Sequence, residues 1–154
     1  MSTYTQIIYQ IVFSTKRRKK CLDKQNRVEL FKFIWGLLKN KRCHLYQIGG
    51  VSDHIHIVLH LHQSTALASL VKDIKIASSM YIKANNLFPN FVSWQEGYGA
   101  FTYSIKDKGR LIAYVKRQEI HHNEIDYEKE FIQLLKEHQI QYDEKSLFEN
   151  PPEN

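Results

Sequence analysis

Polar and apolar positions alternate most strictly over HIHIVLHLH, residues 54–62, where four histidines take one parity and Ile55, Ile57, Leu59 and Leu61 the other. A β-strand turns successive side chains to opposite faces, so this pattern predicts a strand with one apolar face and one imidazole face. Residues 3–14, rich in β-branched and aromatic side chains, place Ile7, Tyr9, Ile11 and Phe13 on one parity and predict another strand. CHLYQIG, residues 43–49, reads as the partner of 54–62 in a hairpin, with Gly49-Gly50 as the turn, and residues 100–105 read as a fourth strand. Between the strands the apolar period changes to that of a helix. Leu30, Phe31, Ile34, Leu37 and Leu38 mark a helix capped by Asp23 and ending near Asn40. Leu67, Leu70, Val71, Ile74 and Ala77 mark a second, capped by Ser64 or Thr65, with Lys72, Lys75, Ser79 and Lys83 on its polar side. Asp107 opens a third helix running to about Ile120, and Phe131, Leu134 and Leu135 belong to a fourth.

The resulting order is β-α-β-β-α-β followed by two helices. It predicts an α+β fold, the ferredoxin-like or RRM-like split βαβ: an antiparallel sheet with two helices on one face and C-terminal helices added. The second face is expected to stay open, and a basic fold of this shape commonly offers such a face to single-stranded nucleic acid. Neither repeat nor linker divides residues 1–142, which read as one domain, and residues 143–154 read as an acidic, disordered tail.

Composition sharpens this picture at one point. Residues 1–123 hold 19 Lys and Arg against 7 Asp and Glu, whereas residues 124–154 hold 3 against 9. The body is therefore strongly basic and points to a polyanion, nucleic acid first. Lys16, Arg17 and Arg18 in the KRRKK loop, Lys72 and Lys75 on the second helix, and Arg110 and Arg117 on the third are the candidate phosphate contacts. Cys21 and Cys43 lack any CxxC spacing, so neither a zinc cluster nor a disulfide framework is indicated. No run of eighteen apolar residues occurs, and the N-terminal residues lack the order of a signal peptide, so a cytoplasmic protein without a membrane partner is expected.

His54 and His56, at i and i+2 on one strand face, are close enough to share a metal ion; His60 and His62 lie too far along the strand to join them. A third ligand must come from elsewhere. In RLIAYVKRQEIHH, Arg110, Tyr114 and Gln118 repeat every four residues and share a helical face, while Leu111 and Val115 occupy another that can pack on the body. That face presents a tyrosine hydroxyl one turn from an amide oxygen able to bind a hard ion. A phenol is a poor nucleophile at neutral pH because its pKa is about 10, and a metal beside a scissile phosphate polarises a non-bridging oxygen and orients in-line attack. Trp94, Tyr98 and Phe101 are candidates either for base stacking or for core packing.

DHIHI at 53–57 resembles the HUH motif, and YVKRQ, with Tyr114 and Gln118, resembles the tyrosine helix of the single-tyrosine HUH transposases of the IS200-like type. The likeness runs from IVFSTK through WQEGYGAFTYS to QEIHHN and FIQLLKEHQIQYDEK, nearly the whole chain. It implies that His54, His56 and Gln118 bind magnesium or manganese. It implies further that Tyr114 attacks single-stranded DNA at hairpin-bearing element ends, leaving a 5′-phosphotyrosine and a free 3′-hydroxyl for DNA transposition. A homodimer is also implied, in which the tyrosine helix of one subunit can serve the other. A histidine-triad hydrolase would need a histidine where the chain has Val58. A non-catalytic module binding single-stranded nucleic acid accounts for the charge but leaves His54, His56, Tyr114 and Gln118 without a joint purpose. A host-retained relative of the transposase would look the same in sequence.

Overall fold

The chain is seen in a computed structural model that describes residues 1–118 and 126–148. The predicted end of the third helix near residue 120, His121, His122 and residues 149–154 lie outside the described residues. Four strands, β1 (Ile8–Ser14), β2 (His44–Gly50), β3 (His54–His60) and β4 (Gly99–Tyr103), alternate with helices α1 (Lys24–Asn40) and α2 (Leu67–Ala84) in the expected order. They form one antiparallel sheet in the order β2-β3-β1-β4, the ferredoxin-like arrangement. Helices α3 (Lys108–Arg117), α4 (Tyr127–Glu137) and the single turn α5 (Glu144–Leu147) follow.

One face of the sheet carries the main core. Ile11, Phe13, Ile55, Ile57 and Leu59 pack there against Leu30, Ile34 and Leu38 of α1 and Leu70 and Ile74 of α2, all of them buried. The other face is covered, contrary to the open platform expected from the element order. Ile8 and Val58 pack with Leu111 and Val115 of α3, and Val12 and Phe101 with Leu134 and Leu135 of α4. The cause lies in those helices themselves: their apolar stripes need a partner, and the second sheet face is the surface left to provide one.

Several boundaries also differ from the pattern. Gly49 and Gly50 end β2 rather than making the turn, which falls at residues 51–53. A Cβ at Gly49 would stand 2.7 Å from the Val115 carbonyl oxygen, so the missing side chain is what lets α3 lie directly on β2. Helix α2 begins after Ala66 without a side-chain cap, and Asp23 and Asp107 precede their helices without accepting a cap hydrogen bond. Asp126 does cap α4, accepting from the amides of Glu128 and Lys129. The stretch from 143, read as the start of a disordered tail, makes the turn α5 as far as it is described, and Phe148 packs edge-on to Tyr127 and Phe131 with centroids 6.2 Å apart. Three aromatic rings in mutual contact outweigh the polar composition there. Among the described residues, no helix is long and apolar enough to cross a membrane.

Candidate metal and tyrosine site

β3 delivers His54 and His56 to the covered face, both with no exposed surface. Each ring is held from behind through Nδ1. His54 Nδ1 lies 2.7 Å from Asp53 Oδ1, and His56 Nδ1 lies 2.6 Å from Gln10 Oε1 on β1. Such partners fix the ring orientation and turn Nε2 toward whatever the pair binds. Both Nε2 atoms converge on one oxygen, Glu130 Oε1 of α4, at 2.9 Å from His54 and 2.7 Å from His56.

α3 brings the other two predicted residues to the same point. Tyr114 Oη donates to Glu130 Oε2, and Gln118, at the C-terminal cap of α3, donates through Nε2 to the same oxygen at 2.8 Å. Leu111 and Val115 anchor this helix on the same sheet-facing side, where Tyr114 packs against them and Gln118 is buried, rather than on the separate face the spacing suggested. The tyrosine reaches the histidines of its own chain, its ring centroid 6.1 Å from that of His56.

The electrostatics follow from burial and from two carboxylates. Burial alone would lower His54, but Asp53 and Glu130 on either side outweigh it and push it up to about 9. His56, facing one carboxylate and an amide, is lowered by its complete burial. Burial would raise Glu130, yet hydrogen bonds from the two histidines hold it well below the usual carboxylate range. Burial, then the adjoining Glu130 carboxylate, push the Tyr114 phenol well above its ordinary range.

His54, His56 and Glu130 could together hold a metal ion, with ligand atoms all within 4.8 Å of one another. The fit of such an ion rests on a fourth atom: Gln118 Oε1 is buried and has no hydrogen-bond partner. A buried amide oxygen without a partner is costly, and rotating the amide would present it to the point where the imidazoles converge. Two imidazoles, a carboxylate and an amide oxygen form a donor set suited to a divalent cation.

Glu130 was not foreseen. It lies in the acidic part of the chain, where carboxylates read as solvated charge. The available signal was positional: Tyr127, Glu130, Phe131 and Leu134 follow the i, i+3, i+4, i+7 pattern, so the carboxylate interrupts the buried stripe of α4. Gln10 was missed similarly, as one buried amide between Ile8 and Val12 on the same face of β1.

The cationic candidates separate into groups. Arg110 and Arg117 are exposed and line a cleft of about 470 Å³ beside Tyr114, Gln10, Tyr103 and Glu130. Arg18 is buried, paired with Glu128 at 2.9 Å, and Arg17 donates its amide to Gln95 Oε1 at 2.8 Å. Lys75 Nζ donates to the carbonyls of Gln95 and Gly97, and burial lowers it to about 8 despite the opposing charge of Glu96. Lys16 and Lys72 are exposed, Lys72 on the helix layer behind the sheet. His60 accepts from the Ile7 amide at 3.1 Å, and His62 pairs with Ser64. Trp94 and Phe101 are core residues, whereas Tyr98 stays 38% exposed.

A split-βαβ sheet with paired strand histidines facing a tyrosine on a later helix agrees with the resemblance to IS200-like transposases. The chain matches the family Transposase IS200 like over residues 3–118, and it belongs to that family of DNA-processing enzymes. Its fold is similar to that of a Deinococcus radiodurans protein assigned as a transposase, at 19% identity and a TM-score of 0.60 over 77% of this chain and 95% of that one. It is similar also to a REP-associated tyrosine transposase bound to a REP hairpin, at 17% identity and a TM-score of 0.57 over 81% of this chain and 76% of that one. No curated protein matches the chain in sequence. The family match ends at Gln118, so Glu130 lies beyond it.

Proposed function

We propose that this transposase cleaves and rejoins single-stranded DNA through a covalent bond to Tyr114, with a divalent cation, magnesium or manganese, held by His54, His56, Gln118 and Glu130. The observation that carries this reading is the meeting of Tyr114 Oη and both histidines on one carboxylate, Glu130. A cation bound there supplies the positive charge that polarises a non-bridging phosphoryl oxygen.

The chain's own groups supply the rest. Asp53 and Gln10 hold the two imidazoles in register, and Glu130 Oε2 accepts the hydrogen bond of the Tyr114 hydroxyl, holding the proton that attack must shed. Tyr114 Oη bonds to the phosphorus as the bond to the preceding 3′ oxygen breaks and that oxygen takes up the proton, giving a 5′-phosphotyrosine and a 3′-hydroxyl. The phosphodiester bond energy is kept, so a 3′-hydroxyl can later reverse the step. Arg110 and Arg117, at the cleft beside Tyr114, suit the flanking phosphates.

The REP hairpin on the structural neighbour supports hairpin-bearing single strands as the substrate. The working domain runs past residue 142 to include Phe148, and a homodimer completes the assembly. The test is incubation of the protein with single-stranded DNA adjoining its gene and Mg²⁺ or Mn²⁺. A covalent protein-DNA band mapping to Tyr114 is expected; a band mapping to Tyr103 or Tyr127, or cleavage without any adduct, overturns the reading.

A further inference from the structure

The sequence WQEGYG at 94–99 finds no use in the chemistry at Tyr114, yet the fold holds it rigidly. Trp94 is buried, bridges Thr15 across the end of the sheet and donates Nε1 to Ser78 Oγ at 2.9 Å. The Gln95 amide donates to the Ser14 carbonyl at 2.9 Å, Lys75 bonds the carbonyls of Gln95 and Gly97, and Gly97 reverses the chain with φ of +90°. The outcome is a pinned turn that leaves the Tyr98 ring on the surface. An exposed aromatic ring carried on a pinned backbone is a ready stacking platform, since little backbone freedom remains to be lost on binding.

Tyr98 lines a cleft of about 540 Å³ whose other walls include Tyr127, Phe148, Arg18, Gln95 and Glu96. The cleft adjoins the metal and tyrosine site: the Tyr127 ring that lines it lies edge-on to His54 at 4.9 Å between centroids. Arg17 and Arg18 have φ of 54° and 55°, a left-handed backbone that non-glycine residues rarely adopt, and Arg18 is buried at this wall. An exposed aromatic surface beside the Gln95 amide nitrogen and the Glu96 carboxylate matches the face and polar edge of a nucleobase, while Arg18, held by Glu128, shapes the wall. The Glu96 carboxylate disfavours a phosphate here, so the base and the scissile phosphate are sorted to neighbouring places.

We propose that this cleft receives one unpaired base of the DNA strand, next to the scissile phosphate, stacked on Tyr98; the inference rests on the single-stranded DNA reading above. The test uses the Tyr114→Phe protein, which leaves DNA uncut, and hairpin-bearing single strands from the DNA adjoining the gene. 2-Aminopurine is placed at each unpaired position in turn and its fluorescence followed on titration.

Quenching confined to one position is expected, with Tyr98→Ala in this background abolishing it and weakening binding roughly tenfold, and Tyr98→Phe preserving both. Binding with uniform quenching, or with quenching that Tyr98→Ala leaves unchanged, overturns the base site whatever the covalent-adduct assay shows. Absence of any binding overturns the base site too, and a missing adduct with wild-type protein then removes the reading beneath it.

Discussion

Gln118 and His56 meet through their nitrogens: Gln118 Nε2 lies 3.0 Å from His56 Nε2, the same ring nitrogen that Glu130 Oε1 approaches to 2.7 Å. One imidazole nitrogen cannot donate to a carboxylate and accept from an amide at once. Rotating the amide turns the contact into two oxygens facing one nitrogen, an arrangement that a cation between them satisfies.

Divalent metal should therefore stabilise the protein. At a Mn²⁺ concentration a hundredfold above Kd the gain is about 2.7 kcal/mol, read as a rise in Tm that EDTA reverses. His56→Ala should remain folded and lose the rise, and Asp53→Ala should weaken metal binding roughly 10- to 100-fold by freeing the His54 ring. A wild-type Tm indifferent to Mg²⁺ and Mn²⁺ would remove the metal site.

Tyr114→Phe should bind DNA with near wild-type affinity and form no covalent adduct. The phenyl ring keeps the packing near His56, while the oxygen that attacks phosphorus is gone. Electrophoresis under denaturing conditions decides this, and adduct formation by the variant would disprove the assignment.

Without metal, stability should depend on pH through His54. Its folded pKa, raised to about 9 from 6.5, means the folded state holds a proton that the unfolded chain releases. The stabilisation is fully present below pH 6.5 and is lost as pH rises through 9, in total on the order of 3 kcal/mol at 1.36 kcal/mol per pH unit, shared with Glu130. Thermal melts in EDTA should show this fall, and His54→Gln should flatten it.

Gly49→Ala should disturb the site from outside it. Its methyl group would stand 2.7 Å from the Val115 carbonyl, pushing α3 and with it Tyr114 and Gln118 off the sheet, at a cost of about 1–3 kcal/mol and with a marked loss of adduct formation. Gly36→Ala in α1, where a Cβ meets nothing within 4 Å, should instead stabilise by about 0.5–1 kcal/mol and leave cleavage unchanged. Urea melts and adduct rates on the two variants separate these outcomes.

Because Tyr114 meets His56 within one chain, mixing His54→Ala/His56→Ala protein with Tyr114→Phe protein under subunit exchange should restore no cleavage. Return of about a quarter of wild-type activity would show instead that dimers complete their sites across subunits.

That His54 shares a face with His56, and Tyr114 with Gln118, was legible because each pair sits on one element, where a period of two or of four fixes which side chains share a face. The antiparallel sheet followed from element order. What escaped the sequence was long-range: Glu130 is separated from His56 by 74 residues, and no local period links them. The covered second face escaped for the same reason, since the stripes of α3 and α4 announce that they are buried without saying against what. Gly49 misled because a glycine pair reads as a turn, whereas here its lack of a side chain serves a helix on the neighbouring layer.

The ion pair between Arg18 and Glu128 bears on how DNA binding would respond to salt. A bare cation that meets a phosphate sets free the small anions around it and the counterions condensed on DNA, and the slope of log K against log[salt] counts the phosphates so engaged. Arg18 already carries an oxyanion from its own chain. A phosphate taking that place would evict a tethered carboxylate, which stays in the molecule and adds nothing to the entropy of the bulk ions. The protein's excess of cations over residues 1–123 thus overstates the salt slope to be measured, by the share of that charge its own C-terminal helices have already neutralised.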